Sequence, residues 1–347
     1  MFRFGTVPTL LLSTASRSAI KSAQQDLIAA QTEVGTGRHH DVGLVLGGRI
    51  GSSVGLRMKL DAMQRASESA EQASIKAGVA QTALGSTIEL AQSFQSTLLG
   101  ARGASGGQKL IREAAAAALQ SLTGLINTTF DGRYLFGGIN TDVPPLREFS
   151  GGMPEAAVNA AFLAHFGIGQ NDPGVSQITG ADMDSFISGE LSGVFSPVDW
   201  RMNWSEASDE NLLQRATDGT PIDVAFSANS AFVPKLTEAF AMMMSLGQGQ
   251  LSAAAFEKTV DKSLALLVEA QRDIGAEQSR LGISQQVLKS SSRATEKLTA
   301  STLEAIRFLE SVDPYEAATR VNALMTQLES SYAVTGRISR MSLLNYI

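Results

Sequence analysis

Proline, which removes a backbone donor and breaks helices, is absent from Thr9 to Val143 and again from Lys235 to Asp313 in this 347-residue chain. Six of its nine prolines and both tryptophans, Trp200 and Trp204, fall between Pro144 and Pro221. Long helices are therefore open to the two ends and closed to the middle. Helical ends around a different insertion must meet in space, which suits a subunit of an assembly better than an enzyme.

The spacing of apolar residues supports this. From Ser53 to Leu99 one register, Leu56, Leu60, Met63, Ser67, Ala70, Ser74, Ala77, Gln81, Leu84, Ile88, Ala91, Gln95 and Leu98, alternates steps of 4 and 3. The 8 charged residues between Leu56 and Leu98 all avoid it. A second long helix is expected from Ser252 to Leu309, its seam running from Val260 through Leu267, Ile274, Leu281 and Leu288 to Ile306 and Leu309. All 13 charges between Val260 and Leu309 avoid that seam, whose middle carries Gln, Ser and Thr, residues that fix register at some cost in stability. At 1.5 Å per residue the first helix would be roughly 70 Å long. Neither can bury its seam alone, so the expected fold is mainly α: an antiparallel coiled-coil rod built from both chain halves, with a third helix from Ile111 to Leu125 alongside.

Outside the rod, Ile20, Leu27 and Val34 mark an amphipathic, alanine-rich helix over 8–36, and Val321, Leu324, Leu328 and Ile338 mark another over 315–347, which ends in Leu343 and Leu344. These nine residues are the expected subunit interface, because the outer helices have little else in the chain to bury them against. Seven glycines between Gly35 and Gly55 predict a flexible or irregular connector. The middle reads as a small β-rich or α+β insertion, with strands at 134–136, 193–195 and 222–226 and short helices at 155–166 and 206–214. The domain reading is 1–45 plus 312–347 as a polymerisation region, 46–140 plus 226–311 as the rod, and 141–225 as the outer domain.

Several function classes are disfavoured. A net charge of −6 and a pI near 5.3 argue against nucleic-acid binding. Without cysteine there is neither a disulfide nor a thiol nucleophile. The apolar start is interrupted by Pro8 and lacks a small-residue cleavage site, so export by the general secretory route is not expected, and no apolar run reaches membrane-spanning length. His39-His40 has only Asp41 nearby as a further ligand, too few for a metal site. Gly167-x-Gly169 and Gly247-x-Gly249 lack the third glycine of a dinucleotide loop. Met242–Met244 reads as core filler and Ala114–Ala118 as a close-packing helix face. The acidic pairs Asp182/Asp184 and Asp209/Glu210 read as surface charge. No catalytic constellation, cofactor or metal is expected.

Three stretches carry a family resemblance. Arg272-Asp273-Ile274-Gly275-Ala276-Glu277-Gln278-Ser279-Arg280-Leu281, Val34-Gly35-Thr36-Gly37-Arg38 and the ending Tyr332 to Ile347 resemble segments of the flagellin superfamily. Within it, Gly132-Arg133-Tyr134-Leu135-Phe136-Gly137-Gly138, followed by Thr141 and Pro144-Pro145, is similar to the signature of the hook-associated branch at the hook–filament junction. The chain departs from better-known members after Arg38, where His39-His40-Asp41 and glycines replace an acidic, proline-containing segment. The resemblance implies a non-enzymatic axial component that self-associates in a ring or helical array. It also implies contacts with a neighbouring hook-associated protein and flagellin, and export with a chaperone. Flagellin itself is the alternative within the superfamily. A secreted binding or enzymatic domain carried by 141–225 is the alternative of another class, and would need a concave site with convergent polar groups.

Overall fold

The computed structural model describes residues 9–344 apart from Leu212. It divides into two compact units, one formed by the chain up to Gln64 with the chain from Glu296, the other by Arg65–Thr295.

In the terminal unit, helix α1 (Thr9–Thr36) packs along α11 (Pro314–Leu344). Gln24 Nε2 donates to the Tyr332 hydroxyl at 2.7 Å and Arg320 bonds Glu33 at 2.9 Å, so the two helices run antiparallel. That register sets Leu27 level with Leu328 and Ala30 level with Leu324. Ala23, Ala30 and Ala317 are buried, and their methyl groups let the two backbones approach closely. The outer helices thus bury their seams against each other, where the sequence alone suggested they had little to bury them against.

The glycine-rich connector is more ordered than its composition suggested. A short helix α2 (Val42–Leu46) is capped by Asp41, whose Oδ1 accepts from the Leu44 N–H at 2.8 Å. A 3₁₀ turn, Gly47–Arg49, leads into α3 (Ile50–Ala101), which takes Gly51 and Gly55 into its first turns. Each costs a helix about 1 kcal/mol relative to alanine. The same turns carry Ser53 and Arg57, whose ties to Glu310 offset that cost.

In the second unit, α3 and α10 (Ala253–Glu310) lay their seams together. Gln81 donates to the Gln278 carbonyl at 2.9 Å, and Gln271 to Gln95 Oε1 at 3.2 Å. From Ala70 to Leu98 the expected α3 seam is buried or half-buried except at Ser74, where the neighbouring Ala73 is buried instead. The polar seam positions therefore pair with each other. Helix α4 (Gly107–Ile126) packs on α9 (Phe232–Ser245), with Ala115, Ala118, Met242 and Met243 buried. Phe94 meets Phe240 edge to face at 5.0 Å.

Two small strand pairs complete the unit. β1 (Thr129–Phe130) pairs with β2 (Arg133–Tyr134) around Asp131-Gly132, both at positive φ, and β3 (Leu213–Arg215) pairs with β4 (Pro221–Asp223). Between them the chain is mostly helical: α5 (Met153–Phe166), α6 (Gly180–Phe186), a π-turn at Ile187–Leu191, α7 (Ser192–Val194) and α8 (Pro197–Asn203). The strand expected at 193–195 is instead α7 and its end, because Phe186, Ile187 and Leu191 drive one helical run into the core. A short apolar run does not by itself distinguish strand from helix. The helix expected at 206–214 is absent; residues 206–210 run beside 137–140, and 213–215 form β3. The large core residues Phe162, Phe186, Trp200, Trp204, Phe136 and Phe226 belong to one cluster with the α3, α4, α9 and α10 side chains.

Candidate assembly surface and entrance clasp

The terminal unit is fastened at the point where α1 ends and α10 gives way to α11. Gly37, at φ +68°, ends α1 in the left-handed conformation that glycine adopts freely, and its N–H reaches the Glu33 carbonyl at 2.8 Å. Arg38 then forms an antiparallel bridge with Ser311, flanked by His39 N–H to the Glu310 carbonyl at 3.0 Å and Val312 N–H to the Gly37 carbonyl at 3.1 Å. Beneath this bridge sits the Glu310 carboxylate, 1% exposed. It accepts from Arg57 through both Nε, at 2.9 Å, and Nη2, from Ser53 Oγ, and from Arg38 Nη2 at 2.6 Å. The Arg57 hydrogen bonds, aided by Ser53 and the two guanidinium charges, outweigh burial and hold the Glu310 carboxyl down at about 2. A second carboxylate, Glu33, accepts from the His40 N–H at 3.0 Å and from Arg320 at 2.9 Å. His39 and His40 thus bond through their backbones, and the His39 ring lies with its Nδ1 3.6 Å from Glu33 Oε1. Among the described residues no group of three or more potential metal ligands occurs.

Of the nine expected interface residues, Leu328 is buried, Ile20, Leu27, Val321 and Leu324 are half-buried in or beside the α1–α11 seam, and Val34 is exposed. The side chains of Ile338, Leu343 and Leu344 lie outside the described residues. Sequence reasoning missed the apolar residues turned away from the seam: Ile28 at 61% exposure, with Met325 and Val334 also open. A heptad reading assigns them to the polar face, and their character only stands out once the seam has closed without them.

In the second unit, the segment from Arg133 to Pro145 closes the neck of the insertion. Phe136 is fully buried and stacks on Phe226 with ring centroids 4.0 Å apart. Gly138 sits at φ +64°, and a Cβ there would lie 2.6 Å from the Glu210 carbonyl oxygen; only glycine admits the returning strand this closely. Ser208 N–H donates to the Gly137 carbonyl at 3.0 Å, Ile139 N–H to Glu210 at 3.1 Å, and Ala228 N–H to Phe136 at 2.8 Å. Asn127 acts as an extra strand residue, its side chain bonding both the N–H and the C=O of Leu146 at 2.9 and 2.8 Å. Arg280 holds the other side, reaching Asp223 at 2.6 Å, Glu277 at 2.8 Å and the Ala225 carbonyl at 3.2 Å. Lys235 bonds Asp273 at 2.7 Å. The motif-like residues of both halves are therefore fasteners, with backbone and ion-pair partners in place of a reacting centre.

Both helical ends of the chain match known sequence families. The bacterial flagellin N-terminal helical region matches residues 7–141, and the bacterial flagellin C-terminal helical region matches residues 264–347. Among solved structures, FlgL of Bacillus cereus is similar in fold at a TM-score of 0.50 and 11% identity, over 73% of this chain and 99% of that one. A putative flagellar hook-associated protein from Vibrio parahaemolyticus aligns at a TM-score of 0.40 and 13% identity, over 72% of this chain and 95% of that one. No curated protein matches the chain. No described helix is long and apolar enough to cross a membrane. With both helical regions matched over more than half its length, the chain belongs to the bacterial flagellin family, whose members are structural, non-enzymatic proteins of the flagellum.

Proposed function

We propose that this protein joins hook to filament, assembling through its terminal helices. The observation that carries the junction reading over flagellin is the neck clasp: Phe136, Gly138 and Pro145, three residues of the hook-associated signature, are buried where the insertion leaves and re-enters the helices. The fold similarity to FlgL is in keeping with this. In this reading, residues 1–45 with 312–347 polymerise, 46–140 with 226–311 form the rod, and 141–225 form the outer domain.

The terminal pair gives assembly its physical basis. Its seam is thin, and its open faces carry Ile28, Val34, Met325, Tyr332 and Val334. Burying such side chains against neighbouring subunits contributes roughly 1.5–3 kcal/mol for each one fully covered. The half-buried Ile20, Leu27, Val321 and Leu324 complete the interface where neighbours meet the seam. Before assembly, an export chaperone covers the α11 stripe that includes Leu324.

Deleting the coding sequence tests the junction. The expected result is hooks without filaments and monomeric flagellin in the medium. Filaments that still grow on those hooks would assign the chain to the filament, as a flagellin.

A further inference from the structure

The second unit contains a cleft of about 600 Å³ to which assembly assigns no use. It lies among α8, α9 and α10, with Phe195, Pro197, Pro234 and Leu266 on its walls. Its charged groups come in opposite pairs. Arg201 is bonded to Asp209, whose other oxygen accepts from Asn229 at 2.8 Å, and Lys235 is bonded to Glu269 at 3.2 Å. Two groups are left with unspent capacity. Glu238 is only 6% exposed, and its Oε1 is cut off from solvent with no hydrogen-bond partner. Lys262, half-buried on the facing helix, takes part in no ion pair or hydrogen bond among the described residues. The two are not within ion-pair distance of each other, yet both line the cleft.

A buried carboxyl without a partner costs a fold stability, and a well-packed apolar side chain would avoid the cost. We propose that the cleft binds an uncharged, hydroxyl-rich ligand, a carbohydrate, through hydrogen bonds to Glu238 and Lys262. The charge pattern selects this class. An ammonium ligand would meet Lys262 and Lys235, and a carboxylate would meet Glu269 and Glu238. Opposed charges that cancel leave no net field for an ion of either sign. A hydroxyl both donates and accepts, so adjacent hydroxyls can bridge a carboxyl and an ammonium. Burial, opposed by Lys262 and reinforced by Glu269, pushes the Glu238 carboxyl up to about 7, so it is present in both forms near neutrality. A hydroxyl can donate to either form and accept from the protonated one, whereas an N–H or an ammonium can only donate and leaves the carboxyl proton unmatched. The apolar walls suit the C–H faces of a sugar ring.

The test is titration of the full-length protein with glucose, galactose, mannose and N-acetylglucosamine, and in parallel with glucosamine, glucuronate and glutamine. Binding is read by calorimetry and by the fluorescence of Trp200, which also lines the cleft. At least one neutral sugar is expected to saturate, with affinity reduced by about tenfold or more in Glu238→Ala and in Lys262→Ala. Unchanged circular dichroism would confirm that both variants fold, and Glu238→Gln, which keeps the shape, would provide a second reading should Glu238→Ala unfold. The proposal is overturned if no neutral sugar saturates at millimolar concentration. It is equally overturned if only a charged ligand or glutamine does, or if the variants bind as tightly as the parent.

Discussion

The two units bury different things. Residues 65–295 enclose an aromatic core in which Phe136, Phe162, Phe186, Trp200, Trp204, Phe226, Phe232 and Phe240 are all but completely hidden. The terminal unit has no comparable centre among its described residues; its buried side chains are alanines, a few aliphatics, Ser53, Thr302 and the Glu33 and Glu310 carboxylates. Apolar burial stabilises roughly in proportion to area, so the second unit is built to stand alone. The terminal unit depends on the ionic joints at Glu310 and Glu33 and on a thin seam. That contrast suits a subunit that keeps a finished body while its ends complete themselves against neighbours.

The comparison can be broken most forcefully in the aromatic core. Phe136→Ala removes a ring stacked on Phe226 at the neck and should cost about 4 kcal/mol, seen as a lower thermal midpoint for the second unit. A change of less than about 1 kcal/mol would mean that the neck is not part of that core.

The next effect has the opposite sign. Because the folded-state pKa of Glu238 is raised to about 7 from an ordinary 4.5, the folded protein holds a proton that the unfolded chain releases. The contribution of Glu238 to stability is then most favourable below about pH 4.5, falls as pH rises towards 7, and stays reduced above it. Glu238→Gln keeps a neutral side chain throughout. It should raise stability at pH 8 by up to about 3 kcal/mol and flatten the slope between pH 4.5 and 7. An unchanged slope would place that titration elsewhere.

In the terminal unit the sign reverses again. Glu310 is depressed to about 2, so its contribution is complete above about pH 4.5 and is lost as pH falls through 2. Its arginine partners are 44–50% exposed and can turn to water, so Glu310→Gln should cost about 2 kcal/mol, less than a fully buried pair. Faster amide exchange should appear in α1 and α11 and spare the aromatic core. Loss of protection in both units alike would contradict their independence.

Legibility in the sequence divided along the same line. The rod was readable because charge avoids one face of α3 and α10 along its whole length, and side-chain burial follows that face nearly position by position. The insertion was not, because its pieces are too short for periodicity to separate strand from helix, as 193–195 illustrates. The glycine connector misled because composition cannot reveal that Ser53 and Arg57 are anchored by a carboxylate some 250 residues away in sequence. The same distance hid the role of Arg38. For the outer helices, the seam was visible in Leu27, Leu324 and Leu328, but that the seams close on each other depends on Ala23, Ala30 and Ala317, whose small size carries no obvious signal.

The central claim, that the open faces of the paired terminal helices form the assembly surface, is tested most directly by Ile28→Asp with Met325→Asp. Both side chains are exposed, so the stability of the free protein should change by no more than about 0.5 kcal/mol per substitution. Immunogold labelling of isolated flagella should then find the wild-type protein in place and the double variant missing, with the variant recovered folded from the medium. Double-variant protein incorporated at the wild-type level would contradict the account.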